Sequence, residues 1–188
     1  MIIGITGGIG SGKSYVCRIL RQQGFPVYFC DDHARDLMME DVELKSSIIQ
    51  LVGEDAYFAD GTINKKTIAD FLYENAENQA KLNALIHPKV KNDFKHWAAI
   101  QIADYVFVES AILFESGFNE MVDKTILVYS REEIRVARVV RRDRITRLEA
   151  LRRMKMQMPE AEKMKLADYV IINNGNDNIN KQLENIQI

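Results

Sequence analysis

The chain has 188 residues, is 47% hydrophobic and 28% charged, and carries a formal net charge of −2. That balance excludes a disordered polymer and gives no overall pull toward nucleic acid or an anionic membrane. No apolar run reaches the length of a membrane span, and no basic lead-in marks a signal peptide. A single core domain with a small insertion or lid is expected. Cys17 and Cys30 are too few for a disulfide framework and fall outside metal-ligand spacings, so buried thiols in a reducing, cytoplasmic setting are expected.

The apolar stretch Ile2-Ile3-Gly4-Ile5-Thr6 reads as a buried strand. It runs into Gly7-Gly8-Ile9-Gly10-Ser11-Gly12-Lys13-Ser14, which fits G-x-x-x-x-G-K-[ST], the P-loop pattern. The glycines let the backbone turn tightly and approach an anion, successive N–H groups converge into a nest, and the following helix points its positive end there. Lys13 adds a charge that reaches the β- and γ-phosphates, and the Ser14 hydroxyl is a hard ligand suited to Mg²⁺. Val16, Cys17, Ile19 and Leu20 then recur at helical spacing and stop before Gly24. Strand, glycine loop and helix together favour nucleotide-phosphate binding over a chance glycine-rich turn.

Pro26-Val27-Tyr28-Phe29-Cys30 reads as a second strand ending at Asp31-Asp32, where α/β sheets bind ligands. Asp32 can instead cap a helix starting near Ala34. Residues 34–52 read as one helix with Leu37, Met38, Leu44, Ile48, Ile49 and Val52 on a broad face. Asp60-Gly61 is a turn. Ile68, Phe71 and Leu72 mark a helix, and Leu82, Leu85, Ile86 and Val90 mark another, which His87-Pro88 is expected to kink or restart. With no strand among them, residues 34–103 read as a helical insertion that holds or covers a second substrate. For His87 the plainer alternative is a satisfied core or capping histidine.

Tyr105-Val106-Phe107-Val108-Glu109 is the third strand, ending in an acid that can hold a water on Mg²⁺ or simply be solvated. Lys124 to Tyr129 is the fourth strand. Residues 131–155 hold nine Arg and one Lys against four acids, which concentrates positive charge in a near-neutral chain. A helix over 131–142 and a second carrying Leu148, Leu151, Met154 and Met158 are expected, the latter opened by the capping box Thr146-Arg147-Leu148-Glu149. Two basic helices suit a mobile lid that folds Arg over phosphates, the alternative being a solvated amphipathic pair. Asp168 to Ile172 is the fifth strand, Asn173-Asn174-Gly175 a turn, and Ile179, Leu183 and Ile186 a last helix. The fold class is therefore α/β: a P-loop NTPase-type five-stranded parallel sheet flanked by helices. Its core is expected over about 1–33, 104–130 and 167–188, the insertion over about 34–103 and the lid over about 131–166.

Nearly end to end, the chain resembles the dephospho-coenzyme A kinase family. The resemblance rests on six segments in order: the P-loop with Thr6, Asp31-Asp32-His33-Ala34-Arg35, Leu82-Asn83-Ala84-Leu85-Ile86-His87-Pro88, Ile112-Leu113-Phe114-Glu115, the lid residues Arg142-Asp143, Thr146, Arg153 and Gln157, and Ala167 to Ile171 with Asn174-Gly175. It departs at Phe29, where the family usually has an aspartate, at Ala111, where a proline is usual, and at Lys65 and Lys66, where an arginine is common. The resemblance implies transfer of the ATP γ-phosphoryl group to the ribose 3′-hydroxyl of dephospho-coenzyme A, with Mg²⁺ as cofactor. It implies ATP contacts at Gly8, Ile9, Gly10, Ser11, Gly12, Lys13, Ser14, Tyr15, Arg142, Asn174 and Gly175. It implies catalytic roles for Asp31 as base, Lys13, and Arg142 with Arg138 beside it. Acceptor contacts are expected at Asp31, His87, Lys66, Glu109 and Leu113, and metal contacts at Ser14 and Glu109. A monomer or weak homo-oligomer is expected. Two rivals stay in view: a kinase of the same fold acting on a nucleoside or a shikimate-like acid, and a non-catalytic nucleotide-binding switch.

Overall fold

The structure, a computed structural model, describes residues 1–186. Gln187 and Ile188, which the expected core included, lie outside the described residues. The chain divides into two compact units, one of Met1–Phe29 with the chain from Gln101 onward, the other of Cys30–Ile100.

The first unit carries the sheet. Its strands are β1 (Ile2–Thr6), β2 (Val27–Phe29), β3 (Val106–Glu109), β4 (Lys124–Tyr129) and β5 (Tyr169–Ile172). They pair in the order β2-β3-β1-β4-β5, and every pairing is parallel. A parallel sheet needs helical crossovers on its faces, so its central strands are buried on both sides and read as continuous apolar runs. Accordingly Ile3, Ile5, Phe107, Ile126, Val128 and Ile171 form one cluster with Val16, Cys17, Ile19 and Leu20 of α1 (Lys13–Gln22). Register places Ile5 beside Glu109 and Thr6 beside Leu127, so the loop leaving β1 starts between the carboxyl ends of β3 and β4.

The second unit is helical, as its sequence indicated, but its elements differ in detail. Cys30, expected to end a strand, opens α2 (Cys30–Glu40), which puts Asp31 and Asp32 in a helical first turn. Two carboxylates there complement the positive end of the helix dipole, which explains the earlier start. The single helix expected over 34–52 breaks at Asp41. That residue is extended, its side chain accepts a hydrogen bond from the Leu44 amide at 2.9 Å, and α3 (Val42–Val52) begins after it. Asn64 and Asn75 cap α4 (Lys65–Glu74) and α5 (Ala76–Ala99) in the same way. The kink or restart expected at His87-Pro88 does not divide the helix, for α5 runs through Pro88. Proline removes one donor at a cost of roughly 3 kcal/mol. Buried Leu82, Val90 and Phe94, together with packing against α2, α3 and α4, outweigh that loss. Met38, Leu44, Ile48, Ala56, Tyr57 and Leu82 give this unit a core of its own.

Back in the first unit, the Arg-rich segment holds three helices where two were expected: α6 (Glu132–Asp143), α7 (Arg147–Lys155) and α8 (Glu160–Leu166). The capping box is present at least in its first half, the Thr146 hydroxyl accepting from the Glu149 amide at 3.2 Å. The third helix had a local signal that the reading passed over. Pro159 precedes it, Glu160 and Glu162 occupy its first turn, and Lys163 and Lys165 its last. The final helix, α9 (Ile179–Glu184), ends before Ile186, which still packs on the core.

Candidate active site

The glycine loop joins β1 to α1, and its shape depends on glycine at two points. Gly12 caps α1 at φ 97°, a left-handed conformation, and a Cβ there would lie 2.0 Å from Asn173 Nδ2. Gly7 sits at φ 145°, where a Cβ would lie 2.3 Å from the Val128 carbonyl oxygen. Neither position admits a side chain without moving backbone or a buried amide.

Lys13 is the first residue of α1 and is buried, 7% exposed. Its Nζ donates to the Gly7 carbonyl at 2.8 Å and stands 3.7 Å from Glu109 Oε1. The ammonium thus lies across the loop, held by the loop's own first carbonyl and by the acid that ends the neighbouring strand. Glu109, 5% exposed, owes its position to the β1–β3 register. One turn further along α1, burial pushes the Cys17 thiol far up; the Glu109 charge adds to this and Lys13 opposes it. Both cysteines are buried and unbridged, so they are inert packing groups. Ser14 and Tyr15 are exposed on the first turn of α1.

The rest of the loop is held from outside. Arg138 Nη1 donates to the carbonyls of Gly10 and Ser11, each at 3.2 Å, and to Ser130 Oγ at 3.0 Å. Its Nη2 donates to the Asn173 carbonyl at 3.1 Å. Asn173 Nδ2 donates to the Ser11 carbonyl at 2.9 Å, and the single proton of the Ser130 hydroxyl is shared between that carbonyl, at 3.1 Å, and the Asn173 carbonyl. Residues at the ends of β4 and β5 and on α6 therefore clamp the loop's middle. Its opening amides are also engaged: Gly8 N–H donates to Glu160 Oε1 at 2.7 Å and Ile9 N–H to Gln157 Oε1 at 2.8 Å. Arg135, 6% exposed, donates from Nε to the Ile9 carbonyl at 3.1 Å.

The expected site residues fall into three groups. Gly8, Ile9, Gly10, Ser11, Gly12, Lys13, Ser14, Tyr15 and Glu109 are assembled around the loop, as described. Asn174 and Gly175 follow β5, where Asn174 Oδ1 accepts from the Arg131 amide at 3.0 Å. Arg142 lies in the last turn of α6 with its side chain 62% exposed, its guanidinium hydrogen-bonded to Asp143 at 2.6 and 3.0 Å. Leu113 is fully buried, with its methyls against Gly4. Asp31, Lys66 and His87 belong to the helical unit. Asp31 and Lys66 are exposed in the first turns of α2 and α4. His87 is half-buried on α5, and burial, helped by the Lys91 charge, holds its imidazole below the usual value, so it is neutral near pH 7.

Sequence reasoning missed Ser130, Arg135, Glu160, Lys163 and Asn173 as parts of the site. Lys163 is fully buried and donates to the Ala111 carbonyl at 2.6 Å while pairing with Glu115 at 2.9 Å. Because Glu115 also accepts from the Met158 amide at 2.8 Å, the segment after β3 is tied to both ends of the α7–α8 turn.

Among the described residues, no helix is long and apolar enough to cross a membrane. Nor do three or more His, Cys, Asp or Glu cluster in a metal-binding arrangement there. The donors at the loop are instead hard oxygens, the Ser14 hydroxyl and the Glu109 carboxylate. That set fits a divalent cation bound mainly through phosphates and water.

The sequence model of the dephospho-CoA kinase family matches residues 1–178. The chain belongs to that family. A dephospho-CoA kinase of Bacteroides fragilis is 41% identical over 174 residues, covering 92% of this chain and 84% of that protein. A solved structure of a Thermus thermophilus protein superposes with a TM-score of 0.79 at 36% identity, covering 94% of this chain and 90% of that one. The dephospho-CoA kinase from Campylobacter jejuni superposes at 0.68 with 26% identity, covering 97% and 92%. The five-stranded parallel sheet is thus that of a P-loop kinase family, whose reaction requires ATP and a divalent metal.

Proposed function

We propose that this chain transfers the γ-phosphoryl group of ATP to the ribose 3′-hydroxyl of dephospho-coenzyme A, giving coenzyme A and ADP. The observation that carries the proposal is Lys13, buried at the base of an intact glycine loop between Gly7 and Glu109, in a chain of this family. The 3′-oxygen forms a bond to the γ-phosphorus, the bond from that phosphorus to the β–γ bridging oxygen breaks, and the hydroxyl proton passes to Asp31. Such transfers depend on positioning and on electrostatic stabilisation more than on covalent chemistry.

The loop amides and Lys13 hold the β- and γ-phosphates and neutralise charge that builds on the leaving oxygen. Mg²⁺ is the metal proposed: Ser14 would be its ligand, Glu109 would hold its water, and the ion would supply positive charge to the phosphates. Arg142 neutralises charge on the moving group, which requires it to exchange Asp143 for phosphate. Asn174 and Gly175 lie beside the adenine, and Tyr15 flanks the nucleotide. Lys66 and His87 contact the acceptor, His87 as a neutral hydrogen-bonding group. Two unbridged thiols suit a reducing compartment such as the cytoplasm.

The test is coupled ADP release with ATP and Mg²⁺, with and without dephospho-coenzyme A, followed by mass and positional analysis of the product. Acceptor-dependent release with one phosphoryl group gained at the 3′-position is expected. ATP binding without acceptor-dependent turnover would discard the assignment. In the same assay Asp31→Asn should lower turnover while ATP affinity is kept. Loss of affinity alone would make Asp31 a nucleotide contact instead.

A further inference from the structure

Arg135 and Glu160 lie far apart in sequence yet meet directly on the loop. Glu160 Oε1 accepts from the Gly8 amide at 2.7 Å and is 3.3 Å from Arg135 Nη1. A Cβ built on Gly8 would lie 2.2 Å from Arg135 Nη2 and 2.5 Å from Glu160 Oε1, so both groups rest against the loop backbone. Arg135 is anchored there by its own Nε, bonded to the Ile9 carbonyl, and is 6% exposed. A backbone amide and a buried guanidinium converging on one anionic oxygen is the arrangement that binds phosphate.

We propose that Arg135 is a phosphate-binding residue of the nucleotide site, and that the Glu160 carboxylate and a nucleotide's terminal phosphate compete for Arg135 and the Gly8 amide. The chemistry of the two competitors matches: each offers anionic oxygens to the same donors. Glu160 is an incomplete partner as well. Its Oε2 is buried without a hydrogen-bond partner among the described residues, a costly condition for a carboxylate, whereas a phosphate brings several oxygens to the same donors. The Gln157 amide, neutral and bonded to Ile9 N–H, belongs to the same α7–α8 segment, so Gly8 and Ile9 are released together when that segment moves. The alternative is a permanent tie between α8 and the loop. The two differ in sign, because removing a competitor tightens nucleotide binding and removing a tie loosens it.

This assignment rests on the kinase reading only in taking a nucleoside polyphosphate as ligand. The experiment is calorimetric titration of the full chain with ATP and with AMP, using Glu160→Gln and, as a second variant in case the first does not fold, Glu160→Asp, whose shorter side chain withdraws the carboxylate. Thermal unfolding without nucleotide confirms folding. Loss of the charged competitor should tighten ATP binding by about tenfold, the value of one charge-assisted hydrogen bond, and leave AMP affinity unchanged. Arg135→Met should weaken ATP binding by a similar factor, and adding Glu160→Gln to it should recover much less than tenfold. Unchanged or weaker ATP binding in both Glu160 variants overturns the proposal, as does equal tightening of AMP. If the pattern holds but dephospho-coenzyme A is not phosphorylated, the acceptor assignment fails and Arg135 keeps its role. If turnover is normal and the pattern is absent, the reverse is true.

Discussion

Arg138→Ala tests how the loop is held. In the structure one guanidinium reaches the Gly10, Ser11 and Asn173 carbonyls, Ser130 Oγ and, at 3.5 Å, Asn173 Oδ1. Nη1 has two hydrogens for three of these, so about three bonds act at once. Hydrogen bonds to a charged group contribute about 1.5–3 kcal/mol each, so three of them sum to about 4.5 kcal/mol at the low end. Part is recovered, because the Ser11 carbonyl keeps Asn173 Nδ2 as donor and the one Ser130 proton is free to serve the Asn173 carbonyl. Gly10 loses the donor the structure gives it. The net cost should be about 3 kcal/mol, and a chain of this size melts 2–4 °C lower per kcal/mol, so the midpoint should fall by roughly 6–12 °C. Differential scanning calorimetry reads the shift, and initial rates should show a raised KM for ATP, since the carbonyls that Arg138 fixes belong to the phosphate loop. Arg138→Lys, which keeps charge but not the planar fork, should fall between. A midpoint within about 2 °C of the parent, with KM unchanged, would refute the clamp.

Three other outcomes follow from the same geometry. Lys13→Ala should cut kcat by ~10²-fold or more in the ADP-release assay, since it removes a charge aimed at the transition state; near-normal turnover would remove Lys13 from the mechanism. Gly12→Ala forces a Cβ into Asn173 at a left-handed φ, so it should lower the melting midpoint and weaken ATP binding together, and a variant that binds ATP normally would contradict the loop geometry. Burial alone would raise the Asp168 carboxyl, but hydrogen bonds from the Thr125 hydroxyl and amide, with the Lys124 ammonium, bring it below its ordinary value. A depressed carboxylate stabilises the fold above its unfolded pKa near 4 and loses that contribution as pH falls through the folded value. Asp168→Asn should therefore lower stability at neutral pH and flatten its decline below about pH 4, read by urea melts across pH, and an unchanged acid decline would exclude Asp168 as a source.

The legible parts of this chain were those whose cause is local. Strand periodicity, the glycine loop and the Lys13-Ser14 pair are set by neighbours within a few residues, and β1, the loop and α1 came out as read. Elements failed where two local signals competed. Asp31 and Asp32 read as strand-end acids, with Asp32 as the alternative cap of a helix near Ala34, yet both stand in the first turn of α2, where the helix dipole favours them. Pro88 read as a break, yet tertiary packing of α5 outweighed the one missing hydrogen bond. Asp41 carried a capping signal inside an apolar periodicity that suggested a longer helix.

The site was legible in its glycine loop and in Glu109, whereas most of what surrounds that loop is fixed by contacts across more than a hundred residues. Arg135, Arg138 and Arg142 share one helix and one residue type, and nothing in their spacing says that Arg135 becomes buried on Gly8 while Arg142 faces solvent. Residues 135, 138 and 142 lie at i, i+3 and i+7 on one face of α6, so position along the helix axis, not rotation, separates them. Positions 135, 136 and 139 are buried on α6 with 138 beside them, and 142 lies one turn on, past the loop's reach. The apolar partners Val136 and Val139 were visible in the sequence, and they orient the helix. Once that face is chosen, Arg135 and Arg138 are carried to the loop carbonyls whatever their own preference. An arginine block inside such a helix should therefore be read against both the apolar stripe beside it and distance along the axis: Arg135 and Arg138, flanking Val136 and Val139, meet the loop carbonyls, whereas Arg142, on the same face in the last turn, is left exposed beside Asp143.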